Sequence, residues 1–100
     1  MDVYQAIRTR VAVRDFKPDP VAPDVLKKIL LSVRWAPSQR NRQPWELIVV
    51  QDPNTIRRIG DLASSGDFIG AAPMAIAFTV TGAKLPQFDA ARAIENMILV

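Results

Sequence analysis

Eight prolines, at positions 18, 20, 23, 37, 44, 53, 73 and 86, punctuate this 100-residue chain. A proline fixes φ, removes a backbone donor and pushes the preceding residue toward extended backbone. Regular elements must therefore start at a proline or fit between two of them. Pro18, Pro20 and Pro23 force a loop. Pro23 suits the first position of a helix over 23–34, with Asp24 in its first turn. Val25, Leu26, Ile29, Leu30 and Val33 recur there at helical spacing, which is one apolar face. Pro37 and Pro44 bound a polar loop over 36–44. Asp52-Pro53 reads as N-cap and first helical position, with Ile56, Ile59 and Leu62 as the apolar side. Pro73 opens a strand over Met74–Val80 that aligns Ile76, Phe78 and Val80, and Gly82 and Pro86 close it.

The remaining segments follow from pattern. Residues 2–9 form a short helix with Val3, Tyr4 and Ile7 on one face, and 10–16 an extended segment with projecting arginines. Trp45–Val50 reads as a strand buried on both faces, because Leu47, Ile48, Val49 and Val50 are apolar in succession. Gly66 and Gly70 bracket a turn. Asp89 caps a last helix whose inner face is Ile94, Met97 and Ile98. That helix runs through Met97-Ile98-Leu99-Val100 with no stop signal, so the chain is expected to end inside an element, as the N-terminal part of a longer fold. A two-stranded sheet also needs partners. Residues 1–100 are read as a single, partial domain.

Composition narrows the chemistry. There is no Cys and no His, which removes disulfides, thiolate nucleophiles, Cys-ligated metal and the commonest general base. Residues 1–50 carry nine basic and five acidic side chains, against four and five in 51–100. Positive charge therefore lies in the first half, where an anionic ligand is sought. The net charge of +3 is too small to argue for nucleic acid. No apolar run approaches the roughly 20 residues of a membrane helix, and no signal-peptide pattern is visible. The expectation is a cytoplasmic protein that uses neither membrane nor nucleic acid.

Two constellations remain. Arg10-x-x-x-Arg14 supplies two guanidinium groups suited to a phosphate, or else a solvated basic edge. Ala36-Pro37-Ser38-Gln39-Arg40-Asn41-Arg42-Gln43-Pro44-Trp45 supplies a hydroxyl, three amides and two guanidinium groups in one loop. It reads either as a ligand-binding loop of limited flexibility or as a polar connection with a core Trp. Tyr4 and Lys84 read as structural or exposed.

Together these segments resemble the FMN-dependent nitroreductase family. Its Arg-Arg-Ser-x-Arg-x-Phe segment stands here as Arg10-Val11-Ala12-Val13-Arg14-Asp15-Phe16. Its Ala-Pro-Ser…Asn-x-Gln-Pro-Trp block stands as Ala36 to Trp45, followed by the apolar strand. Ala71-Ala72-Pro73, Asp89 and Asn96-Met97 are supporting matches.

The resemblance implies an α+β fold, a mixed sheet flanked by helices, and a homodimer with FMN at the interface. It implies electron transfer from NAD(P)H through flavin to a nitroaromatic, quinone or similar small-molecule acceptor, in a ping-pong sequence. Carried over, Arg10 contacts the FMN phosphate and Arg14 the ribityl chain or ring edge. Ser38 and Asn41 hydrogen-bond the cofactor, beside Pro37 and Gln39. No residue here is assigned a catalytic or metal-binding role.

Val11 and Ala12 depart from the family's Arg and Ser, so weaker FMN binding is expected. The rival readings are a truncated flavin-binding or dimerisation module without turnover, a basic nucleic-acid module, and an aggregating truncation product.

Overall fold

The structure, a computed structural model, describes residues 1–100. Its elements are α1 (Val3–Thr9), α2 (Pro23–Arg34), β1 (Trp45–Val50), α3 (Pro53–Leu62), β2 (Ala75–Val80) and α4 (Pro86–Leu99). Short 3-10 turns cover Gln39–Asn41 and Asp67–Ala71. The fold class is α+β, as the family resemblance implied. β1 and β2 pair in a two-stranded antiparallel sheet. Its register is set where the Thr81 N–H donates to the Pro44 carbonyl at 3.0 Å. No helix is long and apolar enough to cross a membrane.

Pro23 and Pro53 open helices as expected, and Pro86 opens one as well, where the missing N–H costs nothing. Asp52 caps α3, its Oδ2 accepting from the Thr55 amide at 3.0 Å and the Thr55 hydroxyl at 2.7 Å. The Thr55 hydroxyl, and then its amide, hold the Asp52 carboxyl below the usual aspartate range. Asp2 caps α1 in a reciprocal box with Gln5: the Gln5 amide donates to Asp2 Oδ1 at 2.8 Å, and the Asp2 amide to Gln5 Oε1 at 3.1 Å.

The chain forms two compact units. The first comprises Met1–Val11, Ala22–Glu46 and Phe78–Val100. Here α2 packs on α4, and Val33, Ala36 and Ala93 are buried. The Asn96 side-chain amide donates to the Ser32 carbonyl at 3.1 Å, tying the two helices. The Trp45 and Phe78 rings pack in a tilted arrangement, 6.1 Å between centroids.

The second unit comprises Ala12–Val21 and Leu47–Ala77. In it α3 lies against the Asp67–Ala71 turn. Ile56 is its most deeply buried side chain, at 1% exposure, a burial that contributes about 1.5–3 kcal/mol. Phe16 meets Phe68 at 6.2 Å. An apolar cavity of about 360 Å³ is lined by Phe16, Val21, Ile69, Pro73, Met74 and Ile76, among others.

Four expectations are corrected, three about faces and one about a cap. β1 is not buried on both faces, because Glu46 and Ile48 are exposed. Leu62 is 84% exposed, since the last turn of α3 runs past the core. Asp89 does not cap α4: the helix begins three residues earlier, at Pro86, after Leu85. The buried residues of α4 are Asp89 and Ala93, while Ile94 and Ile98 face outward. Val3, Tyr4 and Ile7 lie together in α1 as expected, and all three are exposed.

Candidate functional site

The 36–44 loop belongs to the first unit and is tied by several hydrogen bonds around its 3-10 turn. Ser38 precedes that turn in extended conformation. The Asn41 N–H donates to the Ser38 carbonyl at 3.0 Å and the Arg42 N–H to the Gln39 carbonyl at 3.3 Å. The Gln43 N–H donates to Ser38 Oγ at 3.0 Å, and Gln43 Nε2 to Asn41 Oδ1 at 2.9 Å. From outside the loop, Asp89 Oδ1 accepts the Gln39 N–H at 3.2 Å.

Arg40, Asn41 and Gln43 take positive φ, at 55°, 53° and 51°. That region is uncommon for side chains other than Asn and Asp. Three such residues within four positions persist only because the surrounding bonds define them. The result curls the chain so that Pro37, Gln39, Arg40, Asn41 and Arg42 are exposed and Ser38 is half-buried.

This curl decides which groups are left for a ligand. Ser38 Oγ accepts one hydrogen bond, so its hydroxyl proton is free to donate. Asn41 spends its carbonyl oxygen, so its NH₂ group is free to donate. A hydroxyl donor and an amide donor, with two exposed guanidinium groups beside them in sequence, suit an anionic or carbonyl-bearing ligand.

Arg10 lies in the same unit. It is the C-cap of α1, its N–H donating to the Ala6 carbonyl at 3.2 Å, and it is exposed, as is Val11. Ala12 and Arg14 belong to the second unit, and both are exposed. The Arg14 guanidinium carbon lies 5.7 Å from the centroid of Phe68, a cation–π contact that pre-positions its charge. The structure thus gathers Ser38, Gln39 and Asn41 into one hydrogen-bonded loop, while Arg10 and Arg14 stand on separate supports.

Two features escaped the sequence reading. Asp89 is buried at 4% exposure and supports the loop from α4. Its signal was there, since position 89 falls on the stripe of Ala93 and Asn96, but an Asp near a helix start reads first as a cap. Trp35, one residue before Ala36, is 84% exposed and so presents an indole beside the loop. A small cleft of about 240 Å³ is lined by Gln39, Leu85, Phe88, Asp89 and Arg92.

Comparison with known proteins follows the same segments. The model of the nitroreductase family matches residues 7–81. An NADH dehydrogenase of Thermus thermophilus is 34% identical over 76 residues, covering 76% of this chain and 37% of that protein. An FMN reductase [NAD(P)H] of Bacillus subtilis is 31% identical over 77 residues, covering 77% of this chain and 31% of that protein. Among solved structures, the FMN-dependent nitroreductase of Clostridium difficile superposes with a TM-score of 0.85 at 27% identity. It covers 97% of this chain and 58% of that one. The chain spans about half the length of the curated relatives it matches, 54% for one from Methanothermobacter thermautotrophicus.

Proposed function

This chain belongs to the nitroreductase family, and from that premise we propose that it supplies part of the flavin site of an FMN-dependent oxidoreductase. The observation that carries the proposal is the donor set of the 38–43 loop. The Ser38 hydroxyl and the Asn41 amide keep donors free after their internal bonds are made. FMN offers acceptors throughout, in its phosphate, ribityl hydroxyls and ring carbonyls. The donor set therefore fits the group.

In this reading Ser38 and Asn41 hydrogen-bond the cofactor, beside Pro37 and Gln39. Arg10 meets the phosphate with a charge-assisted hydrogen bond worth about 1.5–3 kcal/mol. Arg14 is assigned to the ribityl chain or ring edge. Val11 presents an apolar side chain and Ala12 a bare backbone, so neither adds a side-chain donor. Bound FMN would supply the redox chemistry, from NAD(P)H to a nitroaromatic, quinone or similar acceptor. The chain's own residues bind, orient and neutralise.

A homodimer is part of the proposal. Met1, Val3, Tyr4, Ile7 and Val11 are all more than half exposed. That is a larger run of apolar side chains than one N-terminal segment ordinarily leaves in water. A second reading shares this exposed face: the chain binds flavin and dimerises without turnover.

The test is an absorbance spectrum of the purified protein after FMN is added and unbound flavin removed. A retained and shifted flavin band is the expected result. Oxidation of NADH or NADPH then separates the two readings. A colourless protein refutes both.

A further inference from the structure

Asp89 is out of keeping with its surroundings. It sits on the buried stripe of α4 with Ala93, at 4% exposure. Burying a carboxylate is costly unless polar groups hold it. What holds it is the backbone amide of Gln39, 50 residues away in sequence, which donates to Oδ1 at 3.2 Å. Gln39 is the first residue of the 3-10 turn, and its N–H has no partner within that turn. One oxygen of Asp89 therefore satisfies a donor that the loop cannot satisfy by itself. The next residues, Arg40 and Asn41, are already left-handed, and Gln43 follows. Such conformations hold only where outside contacts determine them.

We infer that Asp89 is the positioning residue of the 38–43 loop: through the Gln39 amide it fixes the left-handed curl that presents Ser38 and Asn41. It touches no ligand and acts only through Gln39. Its consequence for flavin rests on the function proposed above, whereas its hold on the loop does not.

Arg40 and Arg42 provide the readout, because both are exposed and both are cleavage sites for trypsin. Asp89→Ala removes the acceptor; Asp89→Asn keeps a carbonyl oxygen in its place. Limited trypsin digestion, followed by mass spectrometry, compares cleavage after Arg40 and Arg42 with cleavage after Arg57 in the second unit. The expected result for D89A is about tenfold faster loop cleavage, with Arg57 unchanged, as for any local opening. D89N stays within about twofold of the parent, since the hydrogen bond is retained.

Loop cleavage no faster in D89A overturns the inference. So does equal acceleration at Arg57, which would mark general destabilisation, or a D89N that behaves as D89A does. Where the parent retains FMN, D89A loses affinity and the shift of the flavin band, and D89N restores both. Unchanged flavin binding in D89A overturns the positioning role. A parent that binds no FMN refutes the flavin reading, and the trypsin comparison still decides the hold on the loop.

Discussion

Gly60 and Gly70 meet backbone to backbone. A β-carbon on Gly60 would lie 2.7 Å from the Gly70 amide nitrogen and 2.9 Å from its α-carbon. α3 therefore crosses the Asp67–Ala71 turn at a contact that only glycine permits. The obstacle is main chain, so no rotamer change relieves it. Gly60→Ala gains about 1 kcal/mol in helix propensity but incurs about 1–3 kcal/mol of overpacking. The expected outcome is a lower melting midpoint despite the better helix former. Gly66→Ala is the control. Its β-carbon meets the Ile69 Cδ1 at 3.1 Å, a side-chain tip that can move, and the Ala63 β-carbon at 3.3 Å, so its midpoint falls less than that of Gly60→Ala. Calorimetry or circular dichroism melts check both.

On the proposed flavin reading, Val11→Arg together with Ala12→Ser is expected to tighten flavin binding. Val11 and Ala12 are both exposed, so Val11→Arg and Ala12→Ser meet no packing obstacle. A new charged hydrogen bond is worth about 1.5–3 kcal/mol, or roughly ten- to a hundredfold in affinity. Flavin fluorescence titration of the double variant reads this directly. An affinity equal to the parent's removes positions 11 and 12 from the site.

At position 41 the backbone and the side chain separate. Asn41→Gly keeps the positive φ without strain and loses the amide. Asn41→Ala loses the amide and also strains a φ of 53°. Both lose FMN affinity, by about tenfold for the missing donor. Asn41→Ala loses more melting stability than Asn41→Gly, because both forfeit the bond from Gln43 Nε2 but only the alanine strains the backbone. Parallel titrations and melts make the comparison.

The cap of α3 gives a pH signature. The folded-state pKa of Asp52 is depressed, chiefly by the Thr55 hydroxyl and then its amide. A depressed carboxyl stabilises the fold above its unfolded pKa and ceases to do so as pH falls through its folded pKa. Asp52→Ala therefore melts below the parent at neutral pH, and the gap narrows as the solution is acidified past the ordinary aspartate range. Melts between neutral and strongly acidic pH follow the convergence. A gap that is constant with pH would mean that the charged cap is not the cause.

The starts of α2 and α3 were legible because proline and aspartate at a helix start act locally. Asp52-Pro53 and Pro23-Asp24 carry their own geometry, whatever lies around them. β1 was legible in extent, but its two faces were not, because Ile48 is apolar yet exposed. The loop was legible as a ligand candidate from Ser38 and Asn41, while its curl was not. Of the three left-handed residues only Asn41 belongs to a type that favours that region, and Arg40 and Gln43 follow from bonds made by Ser38 and by Asp89. Asp89 itself was misread because a local rule, the helix cap, competes with a contact 50 residues distant. Tertiary partners of that kind leave no periodic trace.

The left-handed curl also sets how this segment can vary. Positions 40, 41 and 43 form a filter on codons rather than on contacts, since φ near +50° excludes β-branched side chains whatever their polarity. A library randomised there and sorted for folded protein will be enriched in Gly, Asn and Asp and emptied of Val, Ile and Thr. Diversity at the tip of the loop is thus bounded by backbone handedness before any ligand imposes its own selection.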